Sequence, residues 1–380
     1  MLLTIAIIAI GIVVTAALIT FLVTIHEFGH FLTAKFFGVK VEEFGIGFPF
    51  PGRLWKKKFG ETEYSIGTLP AGGFVRLFGE EEEENKPRSF SSKPAWQRAV
   101  IIVAGVFVNF VFAFVLFTAL LGFSGWKTQI PQLFGVNHFP FGSQENQVLV
   151  VDVEKDSGAD TAGIEAGDII LSVNEKKIES IEELRGGTNA SKGQALNLTL
   201  ENSQTEEKRQ AQVTPRYNEE EKRWLIGVAP SELTVLSYPS LAEKIFVGPL
   251  HSANMLQYQY EVMKNLFSTS VKEGNATPIT QNVSGVVGVG GVITQLIQVL
   301  GFGAAVPLLT VMALLSLLLA IINVLPIPAV DGGRLFFVLV ELVTRKKVNA
   351  TVERWVHTAG FGILIVLFVL ITFNDILKFF

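Results

Sequence analysis

Charge disappears from this chain in four stretches, and those stretches predict its architecture. Met1 to Ile25, Ala99 to Trp126, Gly274 to Val330 and Thr358 to Asn374 contain no ionisable side chain. A membrane-crossing helix needs about 20 mostly apolar residues, so the first, second and fourth runs each predict one span. The third is too long for one. Gly274 to Gly303 is polar and Gly-rich, whereas Ala304 to Ile322 is dense in Leu, Ala and Ile, so the third span falls in that second part. Met1 to Ile25 lacks the basic start of a cleaved signal peptide and exceeds its usual apolar length, which favours a retained span.

Between the second and third spans the pattern changes. Apolar residues alternate or cluster as short strands around Gln147 to Val153 and Gly167 to Val173. Ile181 to Leu184 starts a short helix, Ala195 to Leu200 alternates again, and Leu225 to Val228 is expected to close the set. Mixed strands and helices in about 85 residues predict a small compact module. Leu241 to Phe267 follows with apolar residues at helical spacing, predicting an amphipathic helix at the membrane surface.

Lys and Arg beside the spans give the orientation. Lys56, Lys57, Lys58, Arg76, Lys93 and Arg98 lie between spans one and two; Arg334, Arg345, Lys346, Lys347 and Arg354 lie between spans three and four. Both links are therefore expected on the cytoplasmic side, with both termini and the long middle segment outside. The acidic run Glu80 to Glu84 reads as part of a solvated cytoplasmic loop.

Composition narrows the chemistry. Only 17% of the 380 residues are charged and 49% are hydrophobic, against about 25% charged in ordinary soluble domains, which excludes a disordered chain. A net charge of −4 gives no electrostatic case for nucleic acid. Zero cysteines exclude disulfides, thiolate metal sites and a thiol nucleophile, so any metal is held by His, Asp or Glu.

Such a set begins at the end of the first span. His26, Glu27 and His30 form H-E-x-x-H. On a helix the two imidazoles sit one turn apart and point the same way, so they can grip one metal ion, with Glu27 beside them to take a proton from water. Each ionisable residue inside a span costs about 2.5–3.5 kcal/mol on insertion scales, and a metal would offset that cost. A third ligand is still needed. His138 and His251 lie in the outer segment, and His357 is expected just before the fourth span as an interfacial residue. Asp331 follows the third uncharged run on the same side as the His pair and is the best candidate. It closes Asn323-x-x-Pro326-x-Pro328-x-x-Asp331-Gly332, where two prolines break the helix and expose backbone groups that membrane depth tolerates only in a buried or cavity-lining position. Asn323 can hydrogen-bond a substrate backbone or a developing oxyanion.

H-E-x-x-H on the first span with N-x-x-P-x-P-x-x-D-G late in the chain resembles the site-2 protease family of intramembrane zinc metalloproteases, in particular the bacterial members that cut anti-sigma factors and remnant signal peptides. Phe44 to Phe48 and Tyr64 to Leu77 resemble its membrane-associated β-hairpin segments. Trp96 to Arg98 with Ala104, Gly105 and Asn109 resembles the start of its second span, and Ser284 to Val289 its segment before the third. The resemblance implies His26, His30 and Asp331 as Zn2+ ligands, Glu27 as general base, and Asn323 holding an unwound substrate strand. The outer module, with Ser157 to Asn174 carrying the likeness, resembles a PDZ domain. Val106 and Val286 stand where many members have Pro, Arg334 where His is common, and Val330 where Leu is common. No Gly-Leu-Gly-Phe carboxylate loop is visible, so the module is expected to gate substrates or to bind them.

The expected fold is a multi-pass α-helical membrane protein with four transmembrane helices, membrane-associated β-hairpins and an inserted α+β PDZ-like domain. The expected divisions are 1–125 (first part of the membrane core), 146–231 (PDZ-like), 232–303 (amphipathic juxtamembrane segment) and 304–380 (second part of the core). The expected activity is cleavage of single-pass transmembrane proteins within the inner (cytoplasmic) membrane in regulated intramembrane proteolysis, with the active site towards the cytoplasm. An extended substrate would pair with hairpin edges near Phe44 to Phe48 or Gly72 to Val75. A metal-binding scaffold or transporter is the competing class. Glu27 beside the His pair speaks against it, since ion binding needs no base there, and so does the lack of a second broken-helix repeat.

Overall fold

The computed structural model describes residues 2–80, 86–203 and 205–379. Most of the acidic run, residues 81–84, lies outside them. The chain divides into two compact units, Met1–Leu120 with Thr269–Phe380, and Leu121–Ser268.

The first unit opens with α1 (Leu2–Phe36), longer than the uncharged run that predicted it and carrying the whole H-E-x-x-H segment. It ends where Val39 N–H bonds back to the Ala34 carbonyl. Two long strands follow, β1 (Val41–Phe59) and β2 (Thr62–Leu77). Each bends so that the pair makes a four-layered ladder: 53–59 antiparallel beside 62–66, then 41–46, then 73–77 antiparallel to 41–46. Phe44 pairs with both Tyr64 and Val75. Phe44 to Ile46 therefore lies inside the ladder and offers no edge, which corrects one of the two edges expected from sequence. The stretch 73–77 is the edge. Glu43 stands at the crossing, fully buried, and accepts hydrogen bonds from Arg53, Ser65 and Arg76; three donors outweigh the cost of burying its charge. Helix α2 (Ala95–Phe123) completes this part of the unit. Ala34, Val39, Val41, Leu77, Ile101 and Val338 form part of the core that joins helices to ladder.

The second unit is built on a seven-stranded antiparallel sheet. Its elements in chain order are β3 (Lys127–Pro131), β4 (Ser143–Val153), α3 (Gly158–Thr161), β5 (Asp168–Val173), β6 (Lys176–Lys177), α4 (Ile181–Ala190), β7 (Leu196–Asn202), β8 (Lys208–Val213), β9 (Arg216–Asn218), β10 (Arg223–Leu225) and β11 (Val228–Ser237). The sheet order is β3-β11-β4-β5-β7-β8, with β6 on β5, while β9 and β10 form a separate hairpin. The alternating positions Val148, Val150, Ile170, Leu196, Leu198 and Leu200 are all buried in one core with Leu184 of α4, which is the period-two burial a one-faced sheet requires. Leu225 to Val228, expected as a closing strand, is instead the end of β10, a turn and the start of β11. α5 (Leu241–Ile245) begins with a Ser240–Glu243 capping box and leads into α6 (Val247–Glu273). Tyr238, His251 and Asn254 are buried here. The Tyr238 hydroxyl donates to His251 Nδ1 at 2.9 Å and accepts from Asn254 Nδ2 at 2.9 Å, so the polar atoms that anchor α6 satisfy one another.

Back in the first unit come α7 (Thr277–Asn282), α8 (Val286–Leu300), α9 (Ala305–Val324), α10 (Asp331–Thr344) and α11 (Ala350–Phe379). The main element of 274–303 is the short apolar helix α8. The buried Asp375 of α11 accepts from Gly285 N–H (2.9 Å) and Gly288 N–H (2.8 Å), so α11 caps α8. Among the described residues, four helices are long and apolar enough to cross a membrane: Ala6–Phe36, Ala95–Phe123, Ala305–Val324 and Thr351–Lys378. Strand makes up 24% of the described residues.

Candidate metal centre

H-E-x-x-H sits on a continuous turn of α1. His26 and His30 are buried and Glu27 is partly exposed. Asp331 arrives from far along the chain. α9 ends at Val324 because Pro326 and Pro328 cannot continue it. The chain then turns through Ala329, whose φ is +77°, and restarts as α10 at Asp331. Gly332 packs so closely under this turn that a Cβ would lie 1.9 Å from the Leu325 carbonyl oxygen.

The three side chains meet at one point. His26 Nε2 lies 2.8 Å and His30 Nε2 3.0 Å from Asp331 Oδ2, and the two Nε2 atoms are 3.1 Å apart. This is the His/Asp/Glu cluster of metal-ligand type among the described residues. Donors around a tetrahedral zinc at ~2.0–2.1 Å stand ~3.3 Å apart, so the set fits zinc after shifts of a few tenths of an ångström. Burial opposes the Asp331 charge, but the imidazoles at hydrogen-bond distance outweigh it and hold the carboxyl below its ordinary range, ionised as a ligand must be.

Surrounding groups fix the rings. His30 Nδ1 donates to the Ile101 carbonyl of α2 at 2.8 Å, which leaves the Nε2 lone pair facing the centre. His26 Nδ1 is 3.2 Å from the Asn109 amide, whose Oδ1 is buried without a partner. With the amide turned over, Oδ1 accepts from His26 Nδ1–H and both histidines present the same tautomer. Gly105 faces the two rings: a Cβ there would be 2.5 Å from His30 Nε2 and 2.7 Å from His26 Nε2. Glu27, next to His26 on α1, accepts at its Oε2 from the Val75 amide on β2 at 3.0 Å.

The structure therefore brings together His26, His30, Asp331 and Glu27. Asn323 lies near the end of α9, partly exposed, with no side-chain hydrogen bond among the described residues and outside the cavity wall described next. A cavity of about 610 Å³ opens beside the centre, lined among others by Glu27, His30, Phe74, Val75, Asp331 and Arg334. His357, expected before the fourth span, lies inside α11, where its Nδ1 accepts from the Ala329 amide at 3.0 Å and braces the turn that delivers Asp331. His138 and His251 belong to the second unit. Sequence reasoning missed the Val75 amide, the Ile101 carbonyl and the bracing role of His357. The first two are backbone groups with no side-chain signal, and the third had only the count of five histidines to point to it.

Residues 14–367 match peptidase family M50. Three similar chains are provisionally named zinc metalloproteases. The one from Clostridium acetobutylicum is 32% identical over 93% of this chain and 94% of its own. That from Clostridium perfringens is 33% identical over 94% and 95%, and that from Helicobacter pylori 31% over 96% and 99%. The PDZ domain of an SdrC-like protein of Listeria monocytogenes is similar to 22% of this chain over 85% of its own, at 19% identity and a TM-score of 0.20. With helices of spanning length and a His–His–Asp set whose histidines are buried, the protein is an integral membrane metalloprotease. It belongs to peptidase family M50, the site-2 protease family, as its two motifs led one to expect.

Proposed function

We propose that the protein is an intramembrane zinc endopeptidase that cuts the transmembrane segments of single-pass substrates, of the anti-sigma factor or remnant signal peptide kind, in regulated intramembrane proteolysis. The convergence of His26, His30 and Asp331 beside Glu27, on a helix of spanning length, is the observation that carries this reading. His26, His30 and Asp331 hold zinc. When bound, zinc supplies a Lewis acid that lowers the pKa of water and polarises a carbonyl. Glu27 takes the proton from the attacking water as its oxygen bonds the scissile carbonyl carbon. It then gives that proton to the departing nitrogen as the C–N bond breaks.

A helical substrate hides its carbonyls in hydrogen bonds, so it must unwind at the site. The edge of β2 at 73–77, which no strand among the described residues pairs and whose residues 74–77 line the cavity, offers the extended segment a partner. Asn323 holds the same segment from the end of α9. In this reading 1–125 and 304–380 form the membrane core, and 232–303 is an amphipathic segment beside the membrane. The PDZ-like region, 146–231, lies outside the inner membrane and gates or binds substrates before they reach the site.

The test is cleavage of a tagged transmembrane segment by purified protein in detergent, with zinc, with a chelator, and with Glu27→Gln. Cutting should be lost with chelator and should fall by about 10²–10⁴-fold in Glu27→Gln, while that variant still binds one zinc per chain. Undiminished turnover by Glu27→Gln would overturn the mechanism. Metal flux or partner capture in place of cleavage would favour a transporter or scaffold.

A further inference from the structure

The edge of β2 is already capped, and its caps are carboxylates. Amides alternate in direction along an antiparallel strand. Phe78 N–H points towards the start of β1, where it bonds the Lys40 carbonyl at 3.0 Å, so Val75 and Leu77 point their amides to the open side. Among the described residues no strand pairs with that side. Val75 N–H bonds Glu27 Oε2 at 3.0 Å, and Leu77 N–H bonds Glu80 Oε2 at 3.4 Å. These two amides, two residues apart, are the donors an added strand would use for its carbonyls. Each is met by an oxygen that can only accept.

Glu80 is not left to reach Leu77 unaided. Its other oxygen, Oε1, accepts from Arg334 Nη1 on α10, three residues after Asp331. Both residues line the cavity that holds Glu27, His30 and Asp331. The Leu77–Glu80 bond, at 3.4 Å, is well beyond the ordinary ~2.9 Å, so a well-placed peptide carbonyl can displace it. The ion pair with Arg334 nevertheless keeps the carboxylate at hand to return.

We propose that Glu80 is a built-in competitor of the substrate strand: held by Arg334, its carboxylate caps the Leu77 amide on the edge of β2 and must be displaced before an extended peptide segment pairs there. The proposal rests on the protease reading and adds a specificity element to it. Glu80 acts on the register and affinity of the strand, while Glu27, which caps the neighbouring amide, is freed to meet water by the same displacement. A substrate whose unwound segment offers strong, well-spaced carbonyls gains most; one that stays helical cannot uncap the edge.

The experiment uses the full chain in detergent with zinc and a tagged single-pass segment, comparing wild type, Glu80→Ala and Glu80→Gln. Glu80→Ala should lower KM about 3- to 10-fold, the size of one modest hydrogen bond, with kcat within about twofold. Glu80→Gln keeps an acceptor for Leu77 and should lie closer to wild type. Equilibrium binding of the same segment to Glu27→Gln protein, with and without Glu80→Ala, reads the cap without turnover and should tighten by the same factor. An unchanged or raised KM, or unchanged binding, overturns the proposal. A Glu80 that is only structural would instead lower kcat or thermal stability in both variants. Loss of the protease reading would show separately, as wild type that fails to cut the segment in any condition.

Discussion

At position 105 two preferences of the chain oppose each other. The residue sits within α2, where Ala is favoured over Gly by about 1 kcal/mol, yet a Cβ would fall 2.5 Å and 2.7 Å from the two imidazole Nε2 atoms. Real contacts are never that short, so the rings would have to leave the point where they meet Asp331. Gly105→Ala should therefore bring zinc content well below one per chain, with no gain in the thermal midpoint in detergent despite the better helix former. Full zinc with full activity would show that the rings adjust freely. Position 109 belongs to the same argument, since its amide is the group beside His26 Nδ1, and such outer partners of metal-bound histidines are commonly worth 10–100-fold in affinity.

At the scale of elements, legibility tracked how local the signal was. H-E-x-x-H is a one-turn pattern, and Pro326, Pro328 and Asp331 are a break followed by a restart, so both halves of the centre could be read before any fold was known. β3 could not: Lys127–Pro131 is short, mostly polar, and a strand only because β11 lies beside it. The cap on α8 was equally hidden, because Asp375 lies 90 residues from Gly285. The anchor of α6 is another such pairing, and it carries a pH dependence. Burial pushes the His251 imidazole down to about 4, from an unfolded value near 6.5, because the folded site accepts only the neutral ring, whose Nδ1 takes the Tyr238 proton. A group depressed in the folded state contributes its full stability above the unfolded pKa and loses it as pH falls from about 6.5 towards 4. That window amounts to about 3 kcal/mol. Amide exchange around 238–254 should speed up across it in the full-length protein, and His251→Gln should flatten the dependence. A flat profile in the unaltered protein would refute the assignment.

At the scale of the molecule, orientation decides what the parts can do. On the orientation proposed from the positive links, the β1–β2 ladder is expected on the cytoplasmic side and the second unit outside, so that substrates would meet that unit first. The absence of cysteine makes this directly testable. Lys57→Cys reports on β1 and Lys176→Cys on β6, both at exposed positions. A thiol reagent that cannot cross membranes should label Lys176→Cys in intact cells with the outer envelope opened, and Lys57→Cys only after the inner membrane is breached. The reverse pattern would put the second unit in the cytoplasm, where it could not screen the outer domains of substrates. Labelling of both in intact cells would mean that the first link crosses the bilayer, and the edge of β2 would then have to meet its substrate from the opposite leaflet.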